Sequence, residues 1–317
     1  MSALFLGIDT SNYTTSIAMA TAEGEIICNI KKLLPVAEGA CGLRQSDALF
    51  AHTKALPIEM RNIAPLLKEG AIVAVGVSDK PRAREGSYMP CFLAGLSAAE
   101  GVALGANVPL YRVSHQCGHF MAAIYSARAD QLLDGRDFLG FHISGGTTEM
   151  LYARFENNAF VSSIVGGTAD ISCGQLIDRV SLYMGLAFPG GAKLEQYALQ
   201  NDKKIPSIRI KCTDGKVNLS GFENQLKQEY DKTHNIPYVA AYTLAIVGKA
   251  IETMLHSFNG FAHDLPVLFS GGVMSCKWLQ SKLGALCEGY FAQPAFSSDN
   301  AAGVALLARY AHLHGGQ

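Results

Sequence analysis

The sequence lacks the features by which several large protein classes are recognised. Its eight cysteines form no CxxC pair and no regular spacing, so they do not indicate a disulfide framework. No uninterrupted apolar run reaches the roughly 18 residues that a membrane-spanning helix needs. Lys and Arg number 26 against 27 Asp and Glu, so no overall basic field draws the chain to nucleic acid. The HExxH motif of zinc proteases is absent as well.

These absences favour one cellular setting. The opening residues, MSALFLGIDTS, contain no positively charged leader. Together with the scattered cysteines, this predicts a cytoplasmic protein with reduced thiols and no membrane partner.

The composition is that of a globular chain with material for more than one core. It has 317 residues, of which 49% are hydrophobic and 17% charged, with 32 glycines for tight turns. A chain of this length predicts two domains or one two-lobed unit.

One sixteen-residue pattern occurs twice. FLGIDTSNYTTSIAMA (5–20) and FLGFHISGGTTEMLYA (138–153) share seven of sixteen positions without a gap. Each reads as a strand, a tight polar turn and a second strand. Alternating helices and strands follow in both halves, which predicts an α/β protein with two similar lobes.

The turns inside the repeat are candidate phosphate loops. Backbone N–H groups in such turns can face outward toward phosphate oxygens, and Gly145 and Gly146 let a ligand approach closely. A third turn, FSGGVMS (269–275), follows a strand and precedes a helix. Ordinary glycine-containing turns are the alternative interpretation. The residues that we predict to contact phosphate or another polar ligand at these turns are Ser11, Asn12, Ser144, Gly145, Gly146, Thr147, Gly271 and Gly272.

Duplicated hairpin turns with a late Gly-Gly turn resemble the nucleotide-binding fold of actin, sugar kinases and Hsp70 (the ASKHA fold). Within it, the chain resembles the Kae1/TsaD family, formerly called O-sialoglycoprotein endopeptidase, from LGIDTS near the start to SSDNAAGVAL (297–306). The expected fold is therefore two-lobed α/β with a duplicated β-meander plus helices. We predict one lobe at 1–113 plus 300–317, the other at 114–299, and a cleft between them.

A metal site is predicted at SHQCGHF. His115 and His119 stand four residues apart, so both imidazoles lie on one helical face and can bind one ion. Such pairs also occur on ordinary helices. The resemblance implies that both are ligands and that Asp299, in Ser-Asp-Asn, is the third. It implies one divalent ion, with iron and zinc the leading candidates.

The resemblance also implies a substrate pocket. The stretch 173–195 is similar to a family helix followed by a Pro-Gly-Gly turn. In this similarity the family's substrate-contacting positions correspond to Asp178, Gly191 and Glu195. An amphipathic helix with solvent-facing acids is the alternative. Cys276 falls where the family has an asparagine on the adenine side.

The chain departs from the family at three places that matter for chemistry. Tyr13 and Thr14 stand where the family has an Asp-Glu pair, and neither hydroxyl replaces a carboxylate as metal ligand or proton acceptor at neutral pH. The family histidine after Ser-Gly-Gly is Thr147, and its asparagine is Cys276. We interpret the chain as a divergent paralogue.

The resemblance implies transfer of a threonylcarbamoyl group from its adenylate to N6 of adenosine in tRNA. Two alternatives stay open at this point: carbamoyl-type transfer to a different small acceptor, and a metal- or nucleotide-binding pseudoenzyme subunit. ATP or an acyl-adenylate is the expected substrate. Because the chain is not basic, we expect tRNA to bind with help from partner subunits, in a homodimer or with a family-like partner.

Overall fold

The computed structural model describes residues 1–11, 13–35, 43–258 and 265–315. Asn12, one of the predicted nucleotide contacts, lies outside the described residues. The strands are β1 (Ser2–Ser11), β2 (Thr14–Thr21), β3 (Ile26–Leu33), β4 (Gly70–Lys80), β5 (Leu110–Ser114), β6 (Asp137–Ile143), β7 (Thr148–Glu156), β8 (Ala159–Thr168), β9 (Cys212–Thr213), β10 (Lys216–Val217), β11 (Val267–Ser270) and β12 (Gly289–Phe291).

The helices alternate with these strands. They are α1 (Gln45–Asn62), α2 (Phe92–Ala106), α3 (His115–Ala127), α4 (Cys173–Tyr183), α5 (Gly191–Ala198), α6 (Ser220–Thr233), α7 (Ile236–Ser257), α8 (Lys277–Gly284), α9 (Pro294–Ser297) and α10 (Ala302–His314). Short 3₁₀ turns occupy Ala64–Lys68, Asp130–Leu133 and Gly272–Ser275.

The chain divides into two compact units. Unit 1 comprises Met1–Ser126, Phe155–Val161 and Ala295–Gln317, and unit 2 comprises Ala127–Arg154 and Ser162–Pro294. Unit 1 thus includes residues 114–126, 155–161 and 295–299, which the sequence analysis assigned to the second lobe. The predicted cleft stays a prediction.

The two sheets repeat one strand order. The first runs β3-β2-β1-β4-β5, and the second contains β8-β7-β6-β11-β12, with β10 and β9 added beyond β8. In each sheet three antiparallel strands form a meander, and two strands parallel to the first extend the other side.

The duplicated hairpins also share their register. Phe5 pairs with Ala20 in the first hairpin, and Phe138 pairs with Ala153 in the second. These are the equivalent ends of the sixteen-residue repeat. Because a slip of one residue would turn every side chain to the opposite face, the shared register places equivalent side chains on equivalent faces.

Glycines let α10 approach its neighbours in unit 1 very closely. A Cβ on Gly7 of β1 would lie 2.5 Å from the carbonyl oxygen of Ala301, and one on Gly76 of β4 would lie 2.6 Å from that of Val304. A Cβ on Gly303 would lie 1.9 Å from the carbonyl oxygen of Gly118 on α3. The backbone of α10 therefore packs directly on the sheet and on α3.

The core of unit 2 is built around α7. Thirteen of its residues are buried, from Val239 to Leu255. By length and hydropathy α7 passes a test for a membrane span, although Lys249 and Glu252 interrupt its apolar run. However, 72% of its most apolar window is buried inside the protein, so the test is weak evidence for a span.

Replacing Gly303 by Ala should destabilise the protein by about 1–3 kcal/mol, because the added methyl group overpacks the contact between α10 and α3. The matched control is Gly101→Ala on α2, where a Cβ meets no atom within 4 Å. That change should stabilise by roughly 0.5–1 kcal/mol through the higher helix propensity of Ala. Urea unfolding measures both. Equal effects of the two substitutions would contradict the close contact.

Candidate functional site

Two parts of unit 1 bring three side chains into one cluster. His115 and His119 lie one turn apart on α3, and Asp299 precedes α10. Nε2 of His119 lies 2.9 Å from Nε2 of His115. Oδ1 of Asp299 lies 3.5 Å from Nε2 of His115 and 3.3 Å from Nε2 of His119. These are the three residues that the sequence analysis proposed as ligands of one metal ion.

The spacing of these atoms fits a single ion. Nitrogen and oxygen ligands lie about 2.1 Å from a transition metal, so neighbouring ligand atoms in tetrahedral or octahedral geometry lie about 3.0–3.4 Å apart. The observed separations are 2.9, 3.3 and 3.5 Å. Two imidazoles and one carboxylate suit zinc, iron or manganese, and leave coordination positions for a substrate. Cys117, between the two histidines, points elsewhere, and its thiol donates to the carbonyl of Phe160 at 3.6 Å.

Asp9 supports the cluster from behind. It is fully buried near the end of β1, and its Oδ1 lies 2.8 Å from Nδ1 of His115. The hydroxyl of Ser78 on β4 also donates to Oδ1, and the N–H of Ser11 donates to Oδ2 at 3.4 Å. A carboxylate on Nδ1 fixes the proton there and directs the Nε2 lone pair of His115 toward His119 and Asp299.

The local field favours positive charge. Burial alone would lower the pKa of His115, but the charge of Asp9 and the hydrogen bonds and charge of Asp299 outweigh it and raise the pKa to about 10. Burial alone would raise the pKa of Asp299, yet its hydrogen bonds to His115 and His119 hold that pKa far below its usual range. An imidazole between two carboxylates is therefore a place where a cation is stabilised.

The segment that carries Asp299 is tied down from several sides. The side-chain amide of Asn300 donates to the carbonyl of Ser298 at 2.7 Å, and its oxygen accepts the N–H of Ala302 at 3.1 Å. Lys31 on β3 donates to the carbonyl of Ala295 at 2.8 Å. Thr14, where the family has an acid, has its hydroxyl 3.5 Å from Oδ2 of Asp299. These contacts set the position of the carboxylate before any ion binds.

Further buried polar groups surround the first hairpin turn. The hydroxyl of Thr15 lies 2.7 Å from Nδ1 of His52, which is fully buried on α1. Nε2 of His52 and Oγ of Ser11 are buried with no hydrogen-bond partner among the described residues. Sequence reasoning did not propose Asp9, Ser78 or His52. The available signal for Asp9 was an acid placed inside the apolar strand LFLGID.

Most of the remaining predicted residues lie in unit 2, in or beside the lining of a cavity of about 370 Å³. Of the predicted nucleotide contacts, the cavity is lined by Gly145, Asp178, Gly191, Glu195, Gly272 and Cys276. Ser144, Gly146 and Gly271 adjoin lining residues in sequence, and Thr147 lies two residues from Gly145, but none of these four lines the cavity. Ser11 lies in unit 1.

The second hairpin turn presents free backbone donors. The N–H of Ser144 donates to the carbonyl of Thr147 at 2.8 Å, and the N–H of Thr147 donates to Oγ of Ser144 at 3.2 Å. Within the described residues, no hydrogen bond uses the N–H of Gly145 or Gly146, and a Cβ on either would meet no atom within 4 Å. Hydrogen bonds between Ser144 and Thr147 hold the ends of the turn together, and the N–H groups of its two glycines remain available to a ligand.

Two carboxylates are fixed at the cavity wall. Oδ1 of Asp178 accepts the N–H of Gly190 at 2.8 Å, and Oε1 of Glu195 accepts the N–H of Trp278 at 2.9 Å. Each bond uses one oxygen of its carboxylate. The other oxygen is a hydrogen-bond acceptor suited to ligand hydroxyls.

The third turn brings a thiol to the cavity. Gly271 has φ +93, and a Cβ there would lie 2.2 Å from the carbonyl oxygen of Ile143, so only glycine fits the turn. Burial, with the nearby charge of Glu195, raises the pKa of Cys276 to about 12. Cys276 is therefore a neutral thiol, with a weaker donor and acceptor than the family asparagine.

Asp9→Asn should weaken metal binding by about 10- to 100-fold, because an amide holds Nδ1 of His115 less strongly than a carboxylate does. Calorimetric titration of the protein with zinc or iron(II) measures the affinity for the metal. The His119→Ala protein should lose metal binding almost entirely. The control for Asp9→Asn is Asp47→Asn, which makes the same change at an exposed acid on α1 and should leave the affinity unchanged. Wild-type affinity in a folded Asp9→Asn protein would show that Asp9 does not act on the cluster.

Comparison with known proteins identifies the family of the chain. The TsaD family, described as tRNA N6-adenosine threonylcarbamoyltransferase, matches residues 67–306. A relative of that name from Campylobacter curvus is 29% identical over 342 residues, covering 99% of this chain and 96% of its own.

Solved structures confirm the predicted fold class. A ROK family glucokinase from Streptomyces griseus, in complex with glucose and AMPPNP, has a TM-score of 0.51 at 12% identity, covering 98% of this chain and 99% of its own. Full-length HypF in its phosphate- and nucleotide-bound form has a TM-score of 0.58 at 13% identity. The match covers 99% of this chain and 56% of HypF. By its sequence match, the chain belongs to the TsaD family of tRNA N6-adenosine threonylcarbamoyltransferases.

Proposed function

We propose that the protein transfers a threonylcarbamoyl group from its adenylate to N6 of an adenosine in tRNA. The observation that carries the proposal is the cluster of His115, His119 and Asp299 in a chain of the TsaD family. The cluster keeps a three-ligand arrangement although the sequence has diverged at neighbouring positions. We also propose that the protein works in the cytoplasm, with partner subunits that help to bind tRNA.

His115, His119 and Asp299 would hold one divalent ion. When bound, such an ion acts as a Lewis acid toward phosphate and carbonyl oxygens, which are the groups that an acyl-adenylate offers. Asp9 orients His115, and Asn300 fixes the segment before α10, so the ligand atoms need little rearrangement.

Unit 2 would bind the nucleotide part of the donor. The free N–H groups of Gly145 and Gly146 are suited to phosphate oxygens and to the charge that develops on the leaving AMP. Asp178 and Glu195 are suited to accept hydrogen bonds from ribose hydroxyls. Cys276 gives the adenine side a less polar contact than an asparagine would.

The replacement of the family's acidic pair bears on the acceptor. With Thr14 beside Asp299, no carboxylate stands at this position to take a proton from the attacking amine. This observation keeps a second candidate in view, which is carbamoyl-type transfer to a smaller acceptor with a more basic amine. The third hypothesis, a pseudoenzyme subunit, requires neither tRNA nor a small acceptor.

Magnesium-ATP should bind wild-type protein in the micromolar range, and Gly145→Asp should weaken binding at least tenfold, because a carboxylate repels phosphate. Gly145→Asn has nearly the same shape without the charge and should lose much less. Space around Gly145 admits either side chain, so folding should be unaffected. Calorimetric titration decides. Absence of heat with wild-type protein at millimolar ATP would favour the pseudoenzyme.

Expression of the chain in a strain that lacks its own enzyme should restore threonylcarbamoyl-adenosine in tRNA, as measured by mass spectrometry of nucleosides. His119→Ala should abolish the product, while His314→Ala on α10, an exposed histidine outside the cluster, should not. If the protein binds nucleotide but gives no modified tRNA although the host's partner subunits are present, the result would support carbamoyl-type transfer to a smaller acceptor.

A further inference from the structure

One segment of unit 2 concentrates positive charge in a chain that is otherwise balanced. Between residues 203 and 216 stand five cations and a single acid, Asp214, whereas the whole chain has a formal net charge of -1. The five cations, which we call the basic ridge, are Lys203, Lys204, Arg209, Lys211 and Lys216.

The backbone of this segment sorts its side chains into two rows. Ile208, Ile210 and Cys212 pack against the core of unit 2, while the intervening Arg209 and Lys211 are exposed. This alternation is that of an extended chain, in which residues two apart project on one side about 6.6 Å from each other. Arg209 and Lys211 therefore project on one side of an anchored backbone, while Lys203, Lys204 and Lys216 add exposed charge at the two ends of the segment.

The charges of the ridge are not used within the protein. Among the described residues, none of the five cations forms an ion pair, whereas Arg136, Arg154 and Arg179 each pair with an Asp or Glu. Lys203 only lies over the ring of Tyr238, 6.0 Å from its centroid. Exposed cations without ion pairs leave their charge available to an external anion.

The end of the ridge is connected to the nucleotide cavity. β10 begins at Lys216, and the turn after it is fixed by Asp170, whose carboxylate accepts the N–H groups of Leu219 at 2.8 Å and Ser220 at 2.9 Å. Asp170 lies just before the capping residue of α4, Ser172, and Gly174 of α4 lines the cavity. A ligand on the ridge would thus lie along a segment joined to the cavity wall.

We propose that the basic ridge binds the sugar-phosphate backbone of the acceptor RNA, an inference that rests on the proposed tRNA activity. A cluster of exposed, unpaired cations along one anchored segment complements the row of phosphates along one strand. A lipid surface would call for exposed apolar side chains beside the cations, and the three isoleucines of the segment are turned to the core. The ridge carries phosphate contacts, not base readout, so it sets affinity and orientation.

The test is tRNA binding by the full chain, followed by fluorescence anisotropy between 50 and 200 mM salt. The ridge variant combines Arg209→Gln with Lys211→Gln. The control variant combines Arg61→Gln with Lys68→Gln, which removes the same charge from an exposed Arg and an exposed Lys of unit 1. The ridge variant should bind about tenfold more weakly at low salt, and the slope of log K against log salt should fall in magnitude by roughly 1–2. The control should bind as wild type does.

Several results would overturn the proposal. Equal tRNA affinity and salt slope in the ridge variant and the control would remove the ridge from the RNA site, and so would a wild-type chain that does not bind tRNA at 50 mM salt. A ridge variant that loses binding to phosphatidylserine vesicles but not to tRNA would assign the ridge to membranes. Magnesium-ATP binding and the tRNA product in cells are measured separately, so the proposed function is judged on its own results.

Discussion

The close approach of α10 to β1 and α3 is the constraint on which unit 1 depends. Gly7 and Gly303 bring the backbone of α10 to distances that no side chain would permit. Asp299 lies just before this helix, so the packing of α10 also places the carboxylate beside the two histidines of α3. Since metal ligands must agree in position within tenths of an ångström, a methyl group several residues away can affect the candidate centre.

The two hairpin turns have different electrostatic surroundings. Unit 1 gathers the fully buried Asp9 and the half-buried Asp299 around His115, and a buried carboxylate is tolerable only when it is paired with positive charge. Unit 2 instead exposes uncharged N–H donors at Gly145 and Gly146, which suit a negatively charged group. The duplicated hairpins therefore share strand register but differ at their turns, one beside a site for cations and one able to bind anions.

The sequence alone was sufficient for much of the architecture and part of the site. Strand alternation, the paired hairpins and the family resemblance predicted the fold class. His115 and His119 were proposed as ligands from their helical spacing together with the family resemblance. Asp9 was missed because its partners, Ser78 and His115, are distant in sequence, and only the side-by-side packing of β1, β4 and α3 brings them together. Likewise, nothing local in SGGTT shows that Gly145 lines a cavity while Gly146 and Thr147 do not.

The position of α10 also has a consequence for synthesis on the ribosome. Thr14 and Asp299 are 285 residues apart in sequence, and the strands of the first sheet are translated long before the helix that covers one of its faces. Until α10 emerges, the glycine-lined surface of β1 and β4 has no partner. The first unit to be made is therefore completed late, after the core elements of unit 2 have been synthesised. Such long-range closure makes folding slow and leaves the nascent sheet exposed to other chains meanwhile.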